Sequence, residues 1–154
     1  MISEPILRGR AHRIVFIDTG TGSADTFRQL AKRLRAKGPL ADRLLGKTRS
    51  AKDSPPEWKK LLAVMNRACE HGLNLVSRNP TVCKRFRGDD LGLGEFKSQP
   101  IRVMFFECER EQGLIVVTHC FSKKRDTTPP EETKRARRLQ EAYYEWLDSQ
   151  NDTR

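Results

Sequence analysis

Three apolar runs follow one another between Leu93 and Phe121, LGEFKS, IRVMFFE and LIVVTHCF, with only short interruptions. They are rich in β-branched and aromatic residues, so they predict neighbouring strands. The second and third face each other across the charged turn Glu109–Gly113, as a hairpin requires. The third then opens into Lys123-Lys124-Arg125. A helix with its own start signal follows: Thr128 as cap, prolines in the first turn, and Glu131 three residues on. Ala136, Leu139, Tyr143 and Trp146 recur at helical spacing and dock this helix on the sheet. A basic strand end beside a basic helix fixes several positive charges on one surface, which suits an anionic polymer.

The overall charge agrees. Among 154 residues, Lys plus Arg number 30 against 20 Asp plus Glu, a formal net charge of +10. That balance favours nucleic acid, ribosome or an acidic protein over a neutral small molecule. The plainer reading is a soluble domain with a solvated basic face. The length suits one domain, 1–154, with a core over about 13–147. Cys69, Cys83, Cys108 and Cys120 form no CxxC pair and no metal spacing with the histidines, so buried thiols and no metal or cofactor are expected. No signal-like segment and no run near the ~18 apolar residues of a spanning helix occurs, so a cytoplasmic protein without membrane contact is expected.

Upstream, Arg13–Ile17 reads as a strand closed by the glycine-rich turn Asp18–Gly22. Phe27, Leu30, Ala31 and Leu34 then give a helix from about Ala24 to Lys37. Residues 40–55 are mixed helical turns and loop. A second helix begins near Pro55-Pro56 and runs to about His71 on the stripe Trp58, Leu61, Leu62, Met65 and Cys69, with Gly72 as its stop; Val82–Phe86 reads as extended. The order β-α-α-β-β-β-α is that of an α+β domain. Phe16-Ile-Asp-Thr-Gly20 imitates an aspartic-protease motif, but that chemistry needs a second carboxylate and a β-rich fold. Gly46-Lys47-Thr48 lacks the first glycine and the preceding strand of a P-loop.

One resemblance spans the chain. VCKRFRGDDLGLGEFK, IRVMFF and IVVTHCFSKKRDTTPPEETKRARRL together resemble the core of RelE/HigB-type toxins of bacterial toxin–antitoxin systems, in their phage-derived branch. Gly88, Glu95, Arg102-Val103, His119, Phe121, Lys123-Lys124, Thr128-Pro129, Glu132 and Ala136 keep that family's order and nearly its spacing. Lys97 and Ile101 stand where the family usually has Arg and Tyr. The resemblance implies a RelE-like fold: two N-terminal helices packed on a small, mainly antiparallel sheet, with a C-terminal helix. It implies a metal-independent endoribonuclease acting on mRNA, often on the ribosome, with a helix-turn-helix antitoxin as partner.

In such a reaction the RNA 2′-hydroxyl attacks the adjacent phosphate, so protons must move and developing negative charge must be held. Arg102 has the planar fork for a phosphate, or else makes a structural ion pair with Glu95 on the neighbouring strand. Lys97, Lys123, Lys124, Arg125, Arg135 and Arg138 are candidate phosphate contacts, or solvated charges, and Arg137 adds to their field. His119 could transfer protons, but it shares strand parity with Ile115, Val117 and Phe121, which makes it a core-edge residue bonded to backbone. Tyr144, off the packing stripe, could stack on a base or give a proton. Two rival readings stand beside the enzyme: a non-catalytic RNA- or protein-binding relative of the same fold, and a DNA-binding accessory whose helix Lys134–Arg138 tracks phosphates.

Overall fold

The computed structural model describes residues 2, 6–17, 28–29, 32, 56–87, 92–123 and 127–152. Strands β1 (Leu7–Arg8) and β2 (Arg13–Phe16) lead to helices α1 (Pro56–His71) and α2 (Leu73–Val76). Strands β3 (Cys83–Arg85), β4 (Leu93–Ser98), β5 (Ile101–Glu107) and β6 (Leu114–Ser122) follow, and α3 (Pro130–Asp152) closes the order. Of the expected first helix, Arg28, Gln29 and Lys32 are helical; the rest of it, the Asp18–Gly22 turn and residues 40–55 lie outside the described residues.

The sheet is larger than the small sheet expected, and it is mixed. Its six strands run β1-β2-β6-β5-β4-β3. Four pairings are antiparallel, but β2 lies parallel to β6, with Ile14 opposite Ile115 and Phe16 opposite Val117. The parallel step has a plain cause. β2 is separated from β6 by the whole helical segment, so it joins the edge of the β4–β5–β6 meander after a crossover and not through a hairpin.

The sheet is also covered on both faces. Trp58, Leu61, Met65 and Cys69 of α1 pack on Ile14, Phe96, Val103, Phe105 and Val117. Ala136 and Tyr143 of α3, with half-buried Leu139 and Trp146, pack on the other side against Leu93, Met104, Phe106 and Val116. Burial on both faces explains why the central strands read as nearly continuous apolar runs instead of alternating ones. Gly72 ends α1 at φ 99°, and Gly113 closes the β5–β6 turn at φ 81°; both are left-handed conformations that glycine adopts without strain.

One irregularity decides the site. Met104 faces His119 while Phe105 faces Val117, so Thr118 is an extra residue in β6. This bulge breaks the parity read from the sequence. Ile115 and Val117 stay on the α1 side, but His119 and Phe121 turn to the α3 side.

Candidate nucleic-acid interface and its buried polar floor

Strand period places Lys84, Glu95, Lys97, Arg102 and His119 on the one sheet face that α3 covers. Arg102 and Glu95 are diagonal neighbours across β4 and β5, close enough for long side chains to meet. Arg102 Nη1 donates to Glu95 Oε1 at 3.0 Å, with the two side chains 1% and 0% exposed. Lys97 Nζ lies 3.5 Å from the same oxygen at 7% exposure. The Thr128 hydroxyl donates to Glu95 Oε2 at 3.0 Å. Thr128 therefore ties the start of α3 to the sheet, where a helix cap had been expected; the helix itself begins at Pro130. Among the described residues, two cations here face one carboxylate.

A second tie lies beside the first. His119 is fully buried, and its Nε2 sits 2.6 Å from Glu132 Oε2, while Nδ1 is 3.2 Å from the Thr118 hydroxyl. The partners are side chains, not the backbone expected. Burial pushes the imidazole below its ordinary pKa, and the Glu132 carboxylate opposes that shift without reversing it; Arg135 adds to the lowering. A neutral ring that donates from Nε2 and accepts at Nδ1 satisfies both contacts.

The remaining predicted site residues scatter. Tyr144 accepts a hydrogen bond from the Glu109 N–H at 3.0 Å, and its ring carries the Arg110 guanidinium at 5.0 Å. Twelve residues separate it from Glu132, about 18 Å along the helix axis. It therefore braces the β5–β6 turn at the far end of α3. Burial pushes its phenol pKa up. Lys123 is half-buried, and its N–H donates to the Pro100 carbonyl at 2.7 Å. Arg135 is half-buried and Arg138 exposed, while Lys124 and Arg125 lie outside the described residues. The cysteines are buried and free; burial pushes Cys69 up to about 11 and Cys83 up to about 12, which removes both as nucleophiles near neutral pH.

What the structure adds is a cleft between the β3 edge and the first turns of α3, with a volume of about 380 Å³. It is lined by Lys84, Phe86, Thr127, Thr128, Pro130, Thr133, Lys134 and Arg137. Pro130, Thr133, Lys134 and Arg137 fall on one helical stripe, and Lys84 and Phe86 are two apart in extended chain, so each wall is built by its own period. Among the described residues that line it there are three cations and no acid. Thr128 belongs to both the cleft wall and the Glu95 cluster. Such a surface neutralises phosphates, and its aromatic member offers a base something to stack on. Lys84 and Phe86 carry only a weak signal in the sequence, a two-residue spacing in a short strand whose neighbour is unknown until the sheet forms.

With this geometry in place, the family model for the phage-derived protein Gp49-like (DUF891) matches residues 54–141, more than half of the chain, and the chain belongs to that family. The family is associated with the toxins of toxin–antitoxin systems, which typically have an antitoxin partner. The match runs from the start of α1 through the first half of α3 and includes every residue of the cleft. No curated protein matches the chain. No described helix is long and apolar enough to cross a membrane.

Proposed function

We propose that this protein is a RelE/HigB-type toxin that acts on mRNA as a metal-independent endoribonuclease, with the cleft between β3 and α3 as its RNA surface. The observation that carries this reading is the cleft lining: Lys84, Lys134 and Arg137 converge on one concavity in a chain of net charge +10. Lys123 and Arg138 add to the positive field, and Lys124 and Arg125 follow them as candidate phosphate contacts in the sequence. Proton transfer falls to the His119–Glu132 pair. Glu132, at 25% exposure, is the member that solvent reaches; it is not part of the cleft lining, so the strand would have to pass the start of α3 for Glu132 to take the 2′-hydroxyl proton, with His119 orienting it and water protonating the leaving 5′-oxygen. Arg102 and Lys97 hold Glu95 and, through it, Thr128 at the cleft wall. Arg102, at 1% exposure, is closed to a phosphate in this arrangement. A helix-turn-helix antitoxin would neutralise the toxin by covering the cleft, and the ribosome would present the mRNA.

A non-catalytic relative is the second reading, and one observation favours it: Arg102 and His119 are 1% and 0% exposed, each committed to a carboxylate. Incubation of purified protein with free mRNA in EDTA, and in parallel with ribosome-bound mRNA at a magnesium level that keeps ribosomes assembled, separates the two. Cleavage leaving 2′,3′-cyclic phosphate ends is expected, with Glu132→Gln slowing it by ~10²–10⁴. Induced expression without a partner should arrest growth and shorten transcript half-lives. Intact RNA and normal growth at confirmed folded expression would leave the non-catalytic reading standing.

A further inference from the structure

We propose that Phe86 is a base-stacking platform, so that the cleft takes one unpaired nucleotide and selects single strands over duplex. This rests on the cleft being the RNA surface and adds the form of the substrate. Phe86 lies just past the end of β3, where its N–H donates to the Leu93 carbonyl at 2.9 Å. Its ring is half-buried: one part packs on the core beneath α3, and another part is cleft wall. Such a ring is held in place and still offers a surface, which an aromatic residue wholly in the core cannot do.

The cations are arranged around that surface. Lys84 Nζ sits 5.6 Å from the ring centroid, over its face. An ammonium on an aromatic face occupies the place where a base would stack. An incoming base takes that place, and the four-carbon lysine stem lets the ammonium swing to the attached phosphate. Lys134 and Arg137, one helical turn apart on the opposite wall, meet the neighbouring phosphates. A volume of about 380 Å³ suits one small ligand unit and not a helix of paired bases. In a duplex the base faces are already stacked on each other, so a duplex keeps the charge contacts and loses the ring.

The test uses fluorescence anisotropy on the full chain, with a labelled 2′-O-methyl oligouridylate, which lacks the attacking hydroxyl, and a blunt RNA duplex. Stacking of one base predicts that Phe86→Leu weakens single-strand binding roughly 5- to 150-fold, with the duplex affinity and the salt dependence unchanged. Phe86→Trp should keep the affinity, and the added indole should be quenched by the single strand beyond any change in wild-type emission. Wild-type affinity in a folded Phe86→Leu protein, or an unquenched added indole, overturns the stacking platform and leaves the RNA cleft intact. Failure of the wild-type protein to bind the single strand overturns the RNA reading and the platform with it. Should Phe86→Leu fail to fold, the quenching of Phe86→Trp decides alone.

Discussion

At the scale of single residues, the Glu95–Arg102 pair shows how burial changes what a residue is for. A guanidinium 1% exposed and bonded to a fully buried carboxylate is a structural contact first. Removing one partner of such a pair ordinarily costs about 3–5 kcal/mol, because the other charge stays behind in a medium that solvates it poorly. Here Lys97 and Thr128 still hold Glu95, so Arg102→Ala should cost about 3 kcal/mol, at the low end of that range. Glu95→Ala should cost more, since it strands two cations. The double variant should be more stable than the sum of the two losses, and urea denaturation of all four proteins measures that coupling. Additive losses would show that the pair contributes nothing as a pair. The partners were legible in the sequence: Glu95 and Arg102 fall on adjacent strands at matching parity. The third partner was not, because Thr128 read as a helix cap and only the docked position of α3 turns its hydroxyl to Glu95.

At the scale of elements, α3 is held to the sheet by apolar packing along its middle and by polar ties at its start. The His119–Glu132 contact joins β6 to α3 directly, and it makes that docking depend on pH. His119 has its folded pKa below the ordinary value near 6.5, so the native state prefers the neutral ring. As pH falls through about 6.5, the unfolded chain takes up a proton that the folded chain resists, and stability is lost. Melting temperature should therefore fall between about pH 7.5 and 5.5, and His119→Gln should fall less over the same range. An equal slope in the two proteins would remove His119 as the cause. The bulge at Thr118 is what put His119 on this face. Parity counted along β6 sends it to the α1 side, and no residue type at 117–119 announces the extra residue. The hairpin was legible; the slip inside it was settled only by the register of the partner strand.

At the scale of the whole molecule, the α+β class, the start and end of α1 and the order of the central strands followed from local patterns. Strand β1 and the parallel β2–β6 pairing did not, because β1 is two residues long and a parallel neighbour depends on where the crossover lands. The cleft inherits that limit: it joins residues 84 and 86 to 127–137, and no local pattern links them. Charge poses the same question of scale, since +10 can act as a diffuse field or through a few contacts. Salt dependence separates these, because each phosphate neutralised on a single strand contributes a slope of about −0.7 in log affinity against log salt. Three contacts from Lys84, Lys134 and Arg137 predict roughly −2, and replacing all three by Ala should bring the slope close to zero. A slope well steeper than −2 that survives the triple substitution would place the binding energy in the dispersed charges, including Lys124 and Arg125. The cleft would then be one wall of a wider surface. A flattened slope would confine recognition to the concavity where α3 meets the β3 edge, beside Thr128.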